Sequence, residues 1–282
     1  MADLLMTGVS VIIPTYNRAR SLLRAISSVL YQTFTDFEVI VVDDGSDDET
    51  AECLKSLTDH IKYIRHLDNL GVSAARNRGI AASRYPFIAF LDSDDYWLPG
   101  KLSTQMAFFE AKPEAVACQT DEIWIRNGVR VNPGKRHLKP SGDIFFPSLR
   151  LCLVSPSAVM LKRSVLDEVG LFDEDLPACE DYELWLRISC RYPIHLILRQ
   201  LVVKEGGNPD QLSSKVKGLD RFRIKALVKL LRGRKLNDAQ LQATLHELTT
   251  KCQIYGSGCL KRGRKEEGEH YLKLPEHLKR EL

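Results

Sequence analysis

The chain has 282 residues, 44% hydrophobic and 27% charged, with 40 basic and 37 acidic side chains and a formal net charge of +3. That apolar content, with 17 glycines and 12 prolines, excludes a disordered or collagen-like chain and suits one large domain with an appendage or two modest ones. No uninterrupted apolar stretch approaches the ~20 residues of a membrane-spanning helix, and MADLLMTGVSVIIP lacks the basic segment that opens a secretory signal.

In chain order, Val9 to Ile13 is a β-branched strand, followed by the polar turn PTYNR. Leu22, Leu23, Ile26, Val29 and Leu30 then recur at helical spacing, with Asn17 as the expected N-cap. FEVIVV (residues 37–42) is a second strand ending in DDGS, and Ser46 with Glu49 has the spacing of a capping box. A short strand over 61–65, a helix over 72–82 and the strand PFIAFL (86–91), ending in DSDD, complete the first hundred residues. Strands alternating with helices imply a mostly parallel sheet covered on both faces. Ligands of such sheets sit at the carboxyl ends of strands. Thr15 and Tyr16, Asp43 and Asp44, and Asp92 to Asp95 are therefore expected to meet at one edge.

Beyond residue 100 the pattern changes. Asn127-Gly128 between IWIR and VRV predicts a hairpin with a primed turn. Short strands are expected near 115–119 and 158–161, and a last one over 195–203. EDYELWLRISCR (180–191) reads as a helix with Leu184, Trp185 and Ile188 inward. After GGNPDQLS the pattern is helical to the end, with Leu219, Phe222, Ala226, Leu230 and Leu231 on one face and seven basic residues between 221 and 235. Residues 215–282 hold 17 basic against 8 acidic side chains, and residues 1–214 hold 23 against 29. The split suggests two regions with different roles. The seven cysteines, at 53, 118, 152, 179, 190, 252 and 259, form no CxxC pair. They predict small buried side chains in a reducing, cytoplasmic setting.

Three acidic clusters carry the candidate chemistry. In Asp92-Ser93-Asp94-Asp95, three carboxylates repel one another unless a cation sits among them, and oxygen-only ligation suits Mg²⁺ or Mn²⁺. The alternative is a solvated acidic turn. In Asp43-Asp44-Gly45-Ser46 a carboxylate either accepts a bond from a base or ribose or caps the next helix. Tyr16, after Pro14 and Thr15, walls a base pocket or simply packs. Glu180-Asp181 opens a helix, where acids serve either as dipole partners or, near a metal, as a general base.

Together VSVIIPTYNR, QTFTDFEVIVVDDGSDDET, NLGVSAARNRGI, FIAFLDSDDYWLPGKL and VGLFDEDLPACEDYELWLRI resemble, in that order, the family-2 glycosyltransferases, inverting nucleotide-sugar enzymes of GT-A fold. The resemblance runs from about Val9 to Ser213. It implies an α/β GT-A unit over residues 1–214, Rossmann-like, with a mixed, mostly parallel sheet flanked by helices. Residues 1–100 would be its nucleotide-binding half and 101–214 its acceptor-facing half, followed by a basic helical extension over 215–282. Carried over residue by residue, Pro14, Thr15 and Tyr16 lie against the nucleotide and Asp44 hydrogen-bonds its base. Asp92, with Ser93 beside it, holds ribose or metal, and Asp94 is the principal ligand of a divalent cation, Mn²⁺ or Mg²⁺. Asp181 is the catalytic base with Glu180 beside it. Arg76, in the family's ARN segment, makes either a ligand contact or an internal salt bridge.

The resemblance further implies single displacement from a nucleotide-sugar donor, by family likeness a uridine one, to a saccharide or lipid-linked saccharide, as in surface polysaccharide or glycolipid synthesis. The QxxRW motif of processive relatives is absent, which points to addition of one sugar. Asn208 stands where relatives often have histidine, with Asp210 and Gln211 as substitutes. For the basic extension three readings stand: helices packed on the core, peripheral contact with the inner membrane face through 215–235, or a homo-oligomer contact. No nucleic-acid recognition motif is present. Two other functions could sit on the same nucleotide-binding α/β core. A sugar nucleotidyltransferase would show a Gly- and Arg-rich loop where PTYNR stands, and a non-catalytic nucleotide-sugar-binding protein would not need Asp94 and Asp181 together.

Overall fold

The computed structural model describes residues 7–132, 134–207, 216 and 218–282. Asn208, Asp210 and Gln211 lie outside the described residues. β1 (Val9–Thr15) is buried along its whole length, as expected of a central strand rich in valine and isoleucine. It pairs in parallel with β2 (Phe37–Asp43) and β4 (Phe87–Phe90), and β2 pairs in parallel with β3 (Lys62–Arg65). The sheet continues through antiparallel β8 (Val159–Lys162) to β6 (Ala117–Arg126), β9 (His195–Gly206) and β5 (Tyr96–Trp97), with β7 (Val129–Val131) paired to β6. The sheet is therefore mixed: parallel around β1 and between β6 and β9, with antiparallel pairs joining β4, β8 and β6 and adding β5 and β7.

Both faces are covered. Val9, Val11 and Ile13 meet α1 (Ala19–Leu30) and α4 (Lys101–Ala111) through Leu22, Ile26, Leu102 and Met106. Ile12, Ile88 and Phe90 meet Ile80 of α3 (Val72–Ala82) and Leu184, Trp185 and Ile188 of α7 (Glu180–Ser189) on the other face. Three shorter helices, α2 (Thr50–Cys53), α5 (Phe145–Arg150) and α6 (Arg163–Val169), fill the margins. The expected hairpin is present, with φ of 50° at Asn127 and 76° at Gly128, the positive pair that a type I′ turn demands.

The chain ends in α8 (Leu219–Arg232), α9 (Asp238–Lys261) and α10 (Lys265–Glu281). Their apolar faces share one core with Tyr182 and Leu186. Helix α7 is therefore gripped on two sides, by the sheet and by the C-terminal helices. Among the described residues, no helix is long and apolar enough to cross a membrane.

Three local expectations need correction. Asn17 does not cap α1. It adopts φ of 52°, and its amide exchanges bonds with Asp47, while Asp48 Oδ2 accepts from Ala19 N at 3.3 Å. Ser46 opens no capping box, because α2 begins at Thr50; its hydroxyl accepts from Asn17 N at 2.9 Å. Both caps are exchanged between two loops that meet beyond β1 and β2, which no local spacing encodes. On α8 the buried face is Ile224, Ala226, Leu227, Leu230 and Leu231, whereas Leu219 and Phe222 are only half-buried.

One core feature has a measurable pH signature. Lys101 is fully buried, with Nζ 2.6 Å from Gln105 Oε1 and 3.9 Å from the centre of the Trp97 ring. Burial pushes its ammonium down from 10.5 to about 7. The unfolded chain keeps that proton well above the pH at which the folded chain has released it. Stability to urea should therefore rise between about pH 7 and 10, and Lys101→Met should flatten the rise and stabilise the protein below it.

Candidate active site

Because β1, β2 and β4 run parallel, their carboxyl ends open on one edge. Thr15 O accepts from Asp44 N at 2.9 Å, and the register pairs Thr15 with Asp43. Asp43 is wholly buried and accepts from Ser46 N at 2.8 Å and Tyr63 Oη at 2.6 Å, which makes it a brace for the turn. Asp44 is 3% exposed. Its Oδ1 accepts from Leu70 N at 3.0 Å and lies 2.8 Å from His66 Nδ1, and its Oδ2 accepts from Gly71 N at 2.7 Å. These bonds fasten the loop that leads into α3. A cavity of about 270 Å³ opens there, between Asn69–Ser73 and Glu174, Leu176 and Pro177. Pro14 and Thr15 are buried behind this edge and Tyr16 is 44% exposed in front of it.

Gly45 makes the turn possible. It adopts φ of +79°, and a Cβ there would lie 2.7 Å from the Asp68 carbonyl carbon. Gly45→Ala is expected to cost about 1–3 kcal/mol through strain at positive φ. Thermal unfolding checks the cost, and loosening of the 68–71 loop should also appear as faster amide exchange at Leu70 and Gly71.

The acidic tip after β4 is tightly organised. Asp92 N donates to Ser157 Oγ at 3.1 Å, and Ser157 Oγ donates to Asp95 Oδ2 at 2.6 Å. Ser93 is buried between them in sequence. Each carboxylate faces its own side-chain cation: Asp92 meets Arg76 at 2.8 Å, Asp94 meets Arg18 at 3.8 Å, and Asp95 meets Lys204 at 3.7 Å. The mutual repulsion of the three acids is thus relieved by the protein itself, so repulsion alone does not demand a metal.

Their environments differ. Burial works against ionisation of Asp92, but the charges of Arg76 and Lys204 outweigh it and hold its carboxyl below the usual range. Burial and the neighbouring Asp92 charge raise Asp94. Burial raises Asp95 to about 7. Asp94 has a side chain 20% exposed, and its side-chain cation, Arg18, stands off at 3.8 Å. Asp92 has Oδ2 unused by Arg76. Two hard oxygen donors open to the site are what a Mg²⁺ or Mn²⁺ ion shared with a substrate diphosphate takes from a protein. Among the described residues no group of three or more His, Cys, Asp or Glu could hold a metal ion, so a closed, all-protein cage is not what the donor set fits.

Arg76 is the joint of the site. It lies on α3, 3% exposed, and its guanidinium donates to Asp92 Oδ1 at 2.8 Å and to Glu180 Oε1 at 2.7 Å, 5.1 Å from the Phe172 ring centre. The next residue, Asn77, donates to Phe172 O at 2.9 Å and Glu174 Oε1 at 2.8 Å. The ARN segment therefore docks the 172–180 loop on the acidic tip. The internal salt bridge that was one of the two readings for Arg76 is present, to both Asp92 and Glu180. Burial and the Asp181 charge raise Glu180 despite this pairing.

Asp181 differs from its neighbour. It is half-buried; Oδ1 accepts from Tyr182 N at 2.6 Å and Oδ2 from Cys152 Sγ at 3.5 Å. Cys179, just before the pair, holds φ of 63°, a left-handed conformation unusual for a side-chain-bearing residue. Arg18, Lys204, Ser157 and Cys152 were not among the residues expected here. Arg18 closes the VSVIIPTYNR segment and so had a signal; Lys204 arrives on β9 and Ser157 in the turn before β8, and neither had one.

The model of Glycosyl transferase family 2 matches residues 10–170. An uncharacterized glycosyltransferase of Rickettsia felis is 35% identical over 204 residues, which are 69% of this chain and 32% of the relative. The chain thus spans about a third of that relative's length. WfaP of Escherichia coli, a UDP-Glc:alpha-D-GlcNAc-diphosphoundecaprenol beta-1,3-glucosyltransferase, is 30% identical over 187 residues, covering 65% of this chain and 70% of the relative. WfgD of Escherichia coli, described in the same words, is 33% identical over 181 residues, covering 64% and 69%. In fold, the crystal structure of S. aureus TarS 1–349 in complex with UDP-GlcNAc superposes with a TM-score of 0.69 at 18% identity, covering 97% of this chain and 92% of that one. The family match covers more than half of the chain and takes in the strand-end acids and the ARN joint, and on it the chain belongs to glycosyl transferase family 2.

Proposed function

We propose that this chain transfers one sugar, with inversion, from a UDP-sugar to a hydroxyl of a saccharide carried on a lipid diphosphate, and that it does so with a divalent cation. The observation that carries the reading is the Arg76 bridge, which holds the acidic tip and the Glu180-Asp181 pair within the span of one guanidinium. The donor and acceptor classes are taken from the printed activities of WfaP and WfgD. In this reading residues 1–214 form the transferase unit, with the donor on 1–100 and the acceptor on 101–214, and residues 215–282 are its extension. A lipid-linked acceptor would place the enzyme at the inner face of the membrane.

Asp94, helped by Asp92, would hold Mn²⁺ or Mg²⁺, which when bound supplies positive charge beside the departing diphosphate. The chain's own residues do the rest. Pro14, Tyr16 and the loop fastened by Asp44 frame the base, with the remaining lone pair of Asp44 Oδ2 as its acceptor. Glu180 is committed to Arg76, which leaves Asp181 as the accessible carboxylate. Asp181 takes the acceptor hydroxyl proton as that oxygen bonds to the anomeric carbon. The bond to the diphosphate oxygen breaks on the opposite face, and the electron pair leaves with the nucleotide. One displacement inverts the carbon.

Thermal unfolding with UDP-glucose or UDP-GlcNAc, with and without Mn²⁺, tests the reading. A donor at a hundred times its Kd should stabilise the fold by about 2.7 kcal/mol. Asp94→Ala should remove the Mn²⁺-dependent part. Absence of stabilisation by any nucleotide sugar would overturn the proposal.

A further inference from the structure

The C-terminal helices carry a second cleft that the transfer chemistry does not use. It has a volume of about 970 Å³ and lies between the start of α8, the α9–α10 turn and Pro177. Arg221, Arg262 and Arg264 line it, together with Phe222, Ile254 and Tyr255. Arg264 is paired with Glu267 at 3.0 Å, and Asp220, the acid of the lining, is paired with Arg223 at 3.0 Å. Among the described residues Arg221 and Arg262 have no acidic partner. The Arg221 guanidinium lies over the Phe222 ring, 4.5 Å from its centre, and Ile254 is 62% exposed. Two arginine forks with no acidic partner among the described residues, beside an apolar wall, match a ligand that is anionic at one end and hydrocarbon at the other.

Position adds to the argument. Pro177 lines both this cleft and the cavity beside Asp44. Cys179 Sγ lies 3.8 Å from Leu219 O, so α8 begins against the residue that precedes Glu180. The cleft that carries Arg221 and Arg262 therefore shares Pro177 with the cavity beside Asp44 and borders the helix that begins against Cys179.

We propose that this cleft binds the diphosphate of the lipid-linked acceptor, with Arg221 and Arg262 on the phosphoryl oxygens and Phe222, Ile254 and Tyr255 against the first hydrocarbon units. The saccharide then lies at the Pro177 end. This rests on the acceptor class given under Proposed function.

The test is calorimetric titration of the full chain with farnesyl diphosphate, inorganic diphosphate and farnesol, with UDP titrated in parallel. Farnesyl diphosphate is expected to bind more tightly than either fragment, and Arg221→Ala/Arg262→Ala to weaken it by roughly ten- to a hundredfold. Arg262→Glu alone should weaken it too, while Lys279→Ala, on an exposed part of α10, should not. Equal affinity for inorganic diphosphate, or binding that ignores the arginines, would overturn the proposal. So would arginine-dependent binding to phosphatidylglycerol vesicles without binding of farnesyl diphosphate. Failure of wild-type protein to bind UDP would count against the transferase reading alone, since arginine-dependent binding of farnesyl diphosphate would still stand.

Discussion

Asp181→Asn should yield a protein that folds and binds UDP like the wild type but transfers sugar roughly 10²–10⁴-fold more slowly, the range for loss of a general base. The asparagine Oδ1 still accepts from Tyr182 N, so the start of α7 is preserved and the loss is one of proton affinity. Single-turnover transfer to a saccharide-diphospholipid, with UDP affinity measured alongside, separates the outcomes. Transfer within tenfold of wild type would move the base elsewhere. A parallel fall in UDP binding would make Asp181 a donor-positioning residue.

Arg76→Met should be the most damaging single change to stability. It leaves Glu180, 5% exposed, with no cation and strips Asp92 of its closest partner. Removing one partner of a buried pair costs about 3–5 kcal/mol, which for a chain this size is roughly a 10 °C fall in melting temperature. Arg76→Lys should recover only part, because one ammonium cannot reproduce a fork that spans two carboxylates. A double-mutant cycle with Glu180→Gln measures the coupling: if the double variant is as unstable as the sum of the singles, the two residues are not a unit. UDP binding should weaken as well, since Asp92 loses its fixed orientation.

Much of the first hundred residues was legible because the signals were local. Strand runs such as FEVIVV, the helix over Val72–Ala82 and the acids at strand ends are patterns of a few residues, and the parallel pairing of β1, β2 and β4 follows from their alternation with helices. The Asn127-Gly128 hairpin was readable for the same reason. What escaped depended on distant pairing. IWIR is not a separate strand but the end of β6 (Ala117–Arg126), and the last strand runs on to Gly206 because it lies alongside β6. Arg18 and Lys204 counter the acidic tip from two different elements, so reading the DSDD run alone overstated its unrelieved charge. Cys152 packs against two cores as a small apolar side chain, and its thiol also lies 3.5 Å from Asp181 Oδ2, a contact that no spacing announced. On α8, helical spacing named Phe222 as core, yet the residue lines an open cleft while Leu227 turns inward to the core it shares with α7.

The double grip on α7 has a consequence for any attempt to separate the basic extension from the rest. Leu184 and Trp185 press on the sheet while Tyr182 and Leu186 press on the last three helices, so the carboxylate pair sits at the end of a rod clamped between two bodies. Cutting the chain near residue 213 would expose one flank of that rod. On the proposed mechanism a shortened protein would lose aim at the acceptor before it lost nucleotide, and whatever tugs on the final helices, a bilayer or a neighbouring molecule, would have a lever on the Glu180-Asp181 pair.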